Sequence, residues 1–79
     1  MSCKIELFGH NNCPSCIQIK DSFEKANIKF NYVDVFNNPD YANDLGIRSV
    51  PTIIINDQMF INPEQSIIIN IIKDNDNVM

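Results

Sequence analysis

Apolar and polar residues recur along the chain with two periods, and the switches between them mark out the elements. Residues 3–8, CKIELF, form an apolar-rich run of strand length. Residues 9–12, GHNN, are turn formers. From Pro14 to Ala26 the period changes. Cys16, Ile19, Phe23 and Ala26 step by 3, 4 and 3 along one helical face, and Gln18, Asp21, Ser22 and Lys25 fall away from it. Asn27 supplies a left-handed stop, with Ile28 packing behind it. Residues 29–35, KFNYVDV, return to alternation with apolar residues on both faces, as expected of an interior strand with helices near both sides. Asn38-Pro39 gives a capping residue followed by proline at the first helical position. It opens a short helix over 39–45 that Gly46 ends. Residues 52–56, TIIIN, read as a third strand, Asn56-Asp57-Gln58 as a turn, and 59–61 as its hairpin partner.

Residues 62–73 carry both signals. The run IIINII is β-branched and suits a strand. Against that, Asn62-Pro63-Glu64-Gln65 has a cap, a proline at the first position and a glutamine where a capping box needs one. Ile67, Ile68, Ile71 and Ile72 then share one face, so the spacing predicts a helix, with a polar tail fraying from Asp74. The order is βαβαββα. Strands joined through a helix lie parallel with a right-handed crossover, and the last hairpin is antiparallel. The expected architecture is α/β, a mixed four-stranded sheet flanked by three helices in one domain over residues 1–79.

Charge narrows the function classes. Ten acidic against six basic residues leave a net charge of −4. With no basic run or stripe, nucleic acid is not expected as a partner, and the acidity is read as solubility. Lys4 and Glu6 interrupt what would be the apolar part of an export signal. No apolar run approaches a membrane span. A cytoplasmic, monomeric protein in a reducing compartment is expected. The three cysteines do not make a disulfide scaffold there.

The chemistry concentrates in Cys13-Pro14-Ser15-Cys16, at the point where a loop becomes a helix directly after a strand. Cys13 falls at the N-cap, where the N–H groups of Ser15 and Cys16 point at its sulfur and the positive end of the helix favours thiolate over thiol. Two intervening residues let the sulfurs close a small ring. Cys16 lies one turn inside, on the core-facing stripe, shielded from bulk substrate. That divides the labour: Cys13 attacks and Cys16 resolves. Pro14 fits the first helical position and stiffens the ring. Ser15 is either a hydrogen-bond donor to sulfur or a tolerated exposed residue. A zinc site needs four ligands, and the chain offers only Cys3 and His10 besides the pair. Cys3 falls ~17 Å or more away, at the far end of the first strand, and is read as a small buried hydrophobe. No metal is expected.

F-x-x-x-x-C-P-S-C-x-x-x-K, from Phe8 to Lys20, resembles the active-site segment of thioredoxins and glutaredoxins. Tyr32-Val33-Asp34-Val35 resembles their second strand, and residues 45–52, LGIRSVPT, resemble the thioredoxin cis-proline segment. The length and the start KIELF are more similar to glutaredoxins and to small glutaredoxin-like thioredoxins of prokaryotes and phages. The resemblance implies a thioredoxin fold and a cis bond at Val50-Pro51. It implies reduction of protein disulfides through a redox-active Cys13–Cys16 disulfide, with electrons from thioredoxin reductase or glutathione. Ribonucleotide reductase is one target it implies. The backbone of Val50 would then face the disulfide and pair with an extended substrate.

Three positions depart from the glutaredoxin pattern. Glutaredoxins resemble one another in a tyrosine between the cysteines, a lysine shortly before them and a Gly-Gly-x-Asp stretch, which together hold glutathione. Here those positions are Ser15, the His10–Asn12 loop and Ile61-Asn62-Pro63-Glu64, which argues against glutathione as the main reductant. Leu7 stands near the place of the buried aspartate of thioredoxins, so Glu6, Lys20 or a water is left to take the proton of Cys16. Three charged residues have two readings each. His10 stabilises a thiolate when charged or is an ordinary loop residue. Lys20 adds positive potential or is solvated. Arg48 steers an acidic partner or is solvated. Phe8 is expected in the core and Ile17 in an exposed apolar rim. A glutathione-dependent glutaredoxin and a non-catalytic thioredoxin-fold binding module stand as the alternatives.

Overall fold

The computed structural model describes residues 4–77, and the reading of Cys3 falls outside them. The first strand, β1, is Ile5–Gly9, and α1 follows over Pro14–Lys25. Then come β2 (Asn31–Asp34), α2 (Pro39–Asp44), β3 (Thr52–Ile55), β4 (Gln58–Ile61) and α3 (Gln65–Asn77). The order is the expected βαβαββα. One four-stranded sheet runs β2-β1-β3-β4, with β1 parallel to β2 and antiparallel to β3, and β3 antiparallel to β4.

Register sorts the side chains. Leu7 lies opposite both Tyr32 and Ile53, so these three share a face with Ile5 and Ile55. That face meets Ile19 and Phe23 of α1 and Ile68 and Ile72 of α3 in one buried cluster. On the other face Phe8 packs against Tyr41 of α2, ring centroids 5.7 Å apart, and Glu6 accepts a hydrogen bond from the Tyr41 hydroxyl at 2.6 Å. The helices therefore lie two on one side and one on the other.

Helix α1 ends as its sequence dictates. Asn27 takes φ 58°, the Asn27 N–H donates to the Glu24 carbonyl and the Ile28 N–H to that of Phe23, the paired bonds of a Schellman motif. The hairpin turn places both Asn56 and Asp57 at positive φ, the geometry whose twist matches the flanking strands.

Five expectations need correction. Strand β2 is an edge strand, not an interior one. Its apolar residues on both faces report helices above and below the sheet, and say nothing of how many strands lie beside it. Helix α3 begins at Gln65, not at Pro63. The Asn62 N–H is still held by the Pro51 carbonyl at 2.8 Å, and Asn62 sits at φ 49°. The chain turns only afterwards, and the Glu64 carbonyl accepts the first helical bond, from Ile68. The helix also runs past Asp74 to Asn77, with no glycine or proline to stop it. Its buried stripe centres on Ile68 and Ile72, which at 3.6 residues per turn leaves Ile67 outside, 53% exposed. Asn38 occupies the N-cap of α2, but its side-chain amide donates to the Asp34 carbonyl instead of capping the helix.

Candidate active site

Pro14 at the first helical position and an extended Cys13 (φ −104°, ψ 106°) start α1 at the end of the β1 loop. The Cys13 N–H donates to the His10 carbonyl at 3.2 Å, closing a tight turn. This orientation brings the Cys16 N–H to the Cys13 sulfur at 3.2 Å. The opening amide and the positive end of the helix thus face that sulfur, an arrangement that favours negative charge on it. Both cysteines are free thiols. Cys13 is half-buried and Cys16 is completely buried. Burial, followed by the hydrogen bond and charge of neighbouring Cys13, pushes the Cys16 thiol up to about 11.

Gly9 was expected in the loop but closes β1, and this is where the strand admits the buried sulfur. A Cβ placed on Gly9 would stand 2.8 Å from both Cβ and Sγ of Cys16 and 3.4 Å from the Tyr32 hydroxyl. Only the absence of a side chain permits that approach. The sequence carried the signal as a glycine at the end of an apolar run, four residues before Cys13. Tyr32 was legible only as a strand residue. It is half-buried, and the Lys20 ammonium stands 4.7 Å from its ring centroid. Lys20 is therefore held on an aromatic face rather than freely solvated. Glu6 belongs to the opposite face of the sheet, bonded to Tyr41, and does not approach Cys16.

The Val50-Pro51 bond is cis, with Pro51 buried and Val50 half-buried. The Thr52 hydroxyl donates to the Ser49 carbonyl at 2.7 Å and satisfies the buried polar residue of this turn. Val50, Arg48, Ile47, His10 and Phe36 line one cavity of about 200 Å³. The His10 ring stacks on Phe36 at 4.6 Å, and its Nδ1 accepts the Asn12 N–H at 3.1 Å. That nitrogen is committed to shaping the loop. Ile17 is 51% exposed, as expected of an apolar rim residue, and Phe36, on the loop after β2, is 69% exposed.

The glutaredoxin family profile matches residues 5–61, most of the chain. The chain belongs to the glutaredoxin family. It is 40% identical over 78 residues to a thioredoxin of Methanocaldococcus jannaschii, covering 89% of this chain and 92% of that protein. Its fold superposes on thioredoxin 1 of Thermosipho africanus with a TM-score of 0.74 and 28% identity, over 95% and 96% of the two chains. A glutaredoxin-like NrdH-redoxin of Escherichia coli shares the fold at 24% identity and TM-score 0.74, over 85% and 92%. The chain is thus a thioredoxin-like redox protein of the glutaredoxin family with the thioredoxin fold, and Cys13–Cys16 fits its C-x-x-C site.

A cleft of about 420 Å³ lies between Ser15 and Gln18 of α1 and Asn62, Glu64 and Gln65 at the start of α3. The Gln65 amide donates to the Gln18 side chain at 3.2 Å and its carbonyl accepts from Ser22 at 2.7 Å. Among the described residues, Glu64 is the one charged side chain lining it. Among the described residues, no helix is long and apolar enough to cross a membrane.

Proposed function

We propose that this chain is a dithiol protein-disulfide reductase in which Cys13 attacks and Cys16 resolves. The observation that carries the reading is the asymmetry of the pair. One sulfur is accessible at a helix N-cap and accepts an amide hydrogen bond, and the other is wholly buried one turn inside. The Cys13 thiolate bonds to one sulfur of a substrate disulfide and displaces the other as a thiolate. The Cys16 thiolate then bonds to Cys13 and displaces the second substrate sulfur. The substrate leaves with two electrons and the enzyme is left as the Cys13–Cys16 disulfide, which an external reductant reopens. A reducing compartment such as the cytoplasm suits this cycle.

The surface beside Cys13 favours a protein substrate. Val50 offers backbone to an extended segment, with Pro14 and Ser15 exposed on one side and Arg48 and Phe36 on the other. A thioredoxin reductase is the preferred electron source, because Glu64 in the cleft beside Ser15 opposes the carboxylates of glutathione. The E. coli NrdH-redoxin, described as glutaredoxin-like with a thioredoxin-like activity profile, supports the same combination here, with ribonucleotide reductase as a candidate target. The family match itself favours a second reading, a glutathione-dependent glutaredoxin.

The test is insulin reduction driven either by thioredoxin reductase with NADPH or by glutathione with its reductase. Turnover with the first, at least tenfold faster than with the second and lost in Cys13→Ser, is expected. Turnover with glutathione alone would reverse the order of the two readings. No turnover with either would leave a passive binding module. The potential should fall on the order of −270 to −200 mV.

A further inference from the structure

Resolution requires Cys16 to lose its proton, and burial opposes that loss. The Tyr32 hydroxyl is placed to help. It and the Cys16 sulfur both stand beside Gly9, 3.4 and 2.8 Å from where a Gly9 Cβ would be. A side chain at Gly9 would meet both groups, and its absence leaves them near one another. Tyr32 projects from β2 on the face that α1 covers, and Lys20 of α1 sets its ammonium over the same ring.

We propose that Tyr32, with Lys20 on its ring, is a positioning residue for the resolving step: its hydroxyl donates a hydrogen bond to the Cys16 sulfur as that sulfur becomes a thiolate. The proposal rests on the dithiol reading above. Tyr32 is a donor and not a base. Burial first, then the neighbouring charges of Cys16, Asp34 and Cys13, raise its phenol above the ordinary 10.0, so it keeps its proton throughout. The proton released by Cys16 ends on the substrate thiolate that Cys16 displaces. The Cys13–substrate bond breaks, the Cys13–Cys16 bond forms, and Tyr32 is unchanged. The charged and titratable groups facing this pocket are Cys13 and Lys20 from α1 and Asp34 from β2. Lys20 is the cation among them, and its place on the ring offsets the Asp34 carboxylate and makes the phenol a stronger donor.

An aromatic disulfide that releases a coloured thiolate separates the two steps in one stopped-flow trace. The first release reports attack by Cys13 and the second reports resolution by Cys16. Tyr32→Phe keeps the ring, its packing and the Lys20 contact, and removes only the hydroxyl. The first release should be unchanged. The second should slow on the order of tenfold at neutral pH, with the midpoint of its pH profile moved up by about one pH unit and the rate recovered at high pH. Lys20→Gln, on the surface of α1, should slow the second release about threefold with the same sign. A second release with an unmoved profile in both variants would overturn the proposal. So would a uniform slowing that alkali does not relieve, because that is the mark of displaced packing. If Tyr32→Phe does not fold, the Lys20→Gln profile decides alone. Absence of any first release in the unmutated protein would overturn the dithiol reading itself.

Discussion

Gly9 sets how close Cys16 comes to the sheet. Any side chain there meets the Cβ and sulfur of Cys16 at 2.8 Å, and neither can retreat, because Cys16 is completely buried. Gly9→Ala should therefore destabilise the protein by about 1–3 kcal/mol, read as a lower urea midpoint with an unchanged slope. Burial of the same sulfur has a consequence for pH. The folded thiol is pushed from 9.0 to about 11. Between those values the unfolded chain has released the proton and the folded chain still holds it, so rising pH favours unfolding. The contribution is fully present below pH 9.0 and lost as pH rises through about 11. Thermal melts of the reduced protein should fall across this window. Melts of the oxidised protein, whose Cys16 has no proton to lose, should lack that component.

At the scale of elements, α1 carries the site because both of its ends are fixed. Pro14 and the turn from His10 start it, and the Asn27 motif stops it. Asn27→Val should cost about 1–2 kcal/mol, since a β-branched residue resists a left-handed backbone. Chemical unfolding measures this, and Asn27→Gly should preserve stability. These ends were legible because capping and left-handed stops are local: Pro14, Asn27, Pro39 and Gly46 each act through their own backbone angles. The start of α3 was not legible. Pro63 carries a local helix-start signal, but the Asn62 bond to the Pro51 carbonyl across the fold overrides it. The length of α3 was misread for the opposite reason, because polar residues from Asp74 onwards do not by themselves break a helix.

For the whole molecule, element order and strand direction followed from the chain pattern, because helix-joined strands admit few topologies. That β2 lies at the edge did not follow, since burial by helices on two faces looks the same in a centre strand and an edge strand. The Cys13–Cys16 pair was legible because its chemistry needs neighbours in sequence. The Gly9–Cys16–Tyr32 grouping was not, because it joins three elements that meet only in the fold. The folded chain also gathers Val50, Arg48, His10 and Phe36 from three loops around one cavity, the surface on which the proposed protein substrate would lie. The most direct measurement of the central claim uses Cys16→Ser, incubated with a disulfide-bonded protein and mapped by mass spectrometry. The account predicts a stable mixed disulfide on Cys13. A mixed disulfide on Cys3, or none at all, would contradict it.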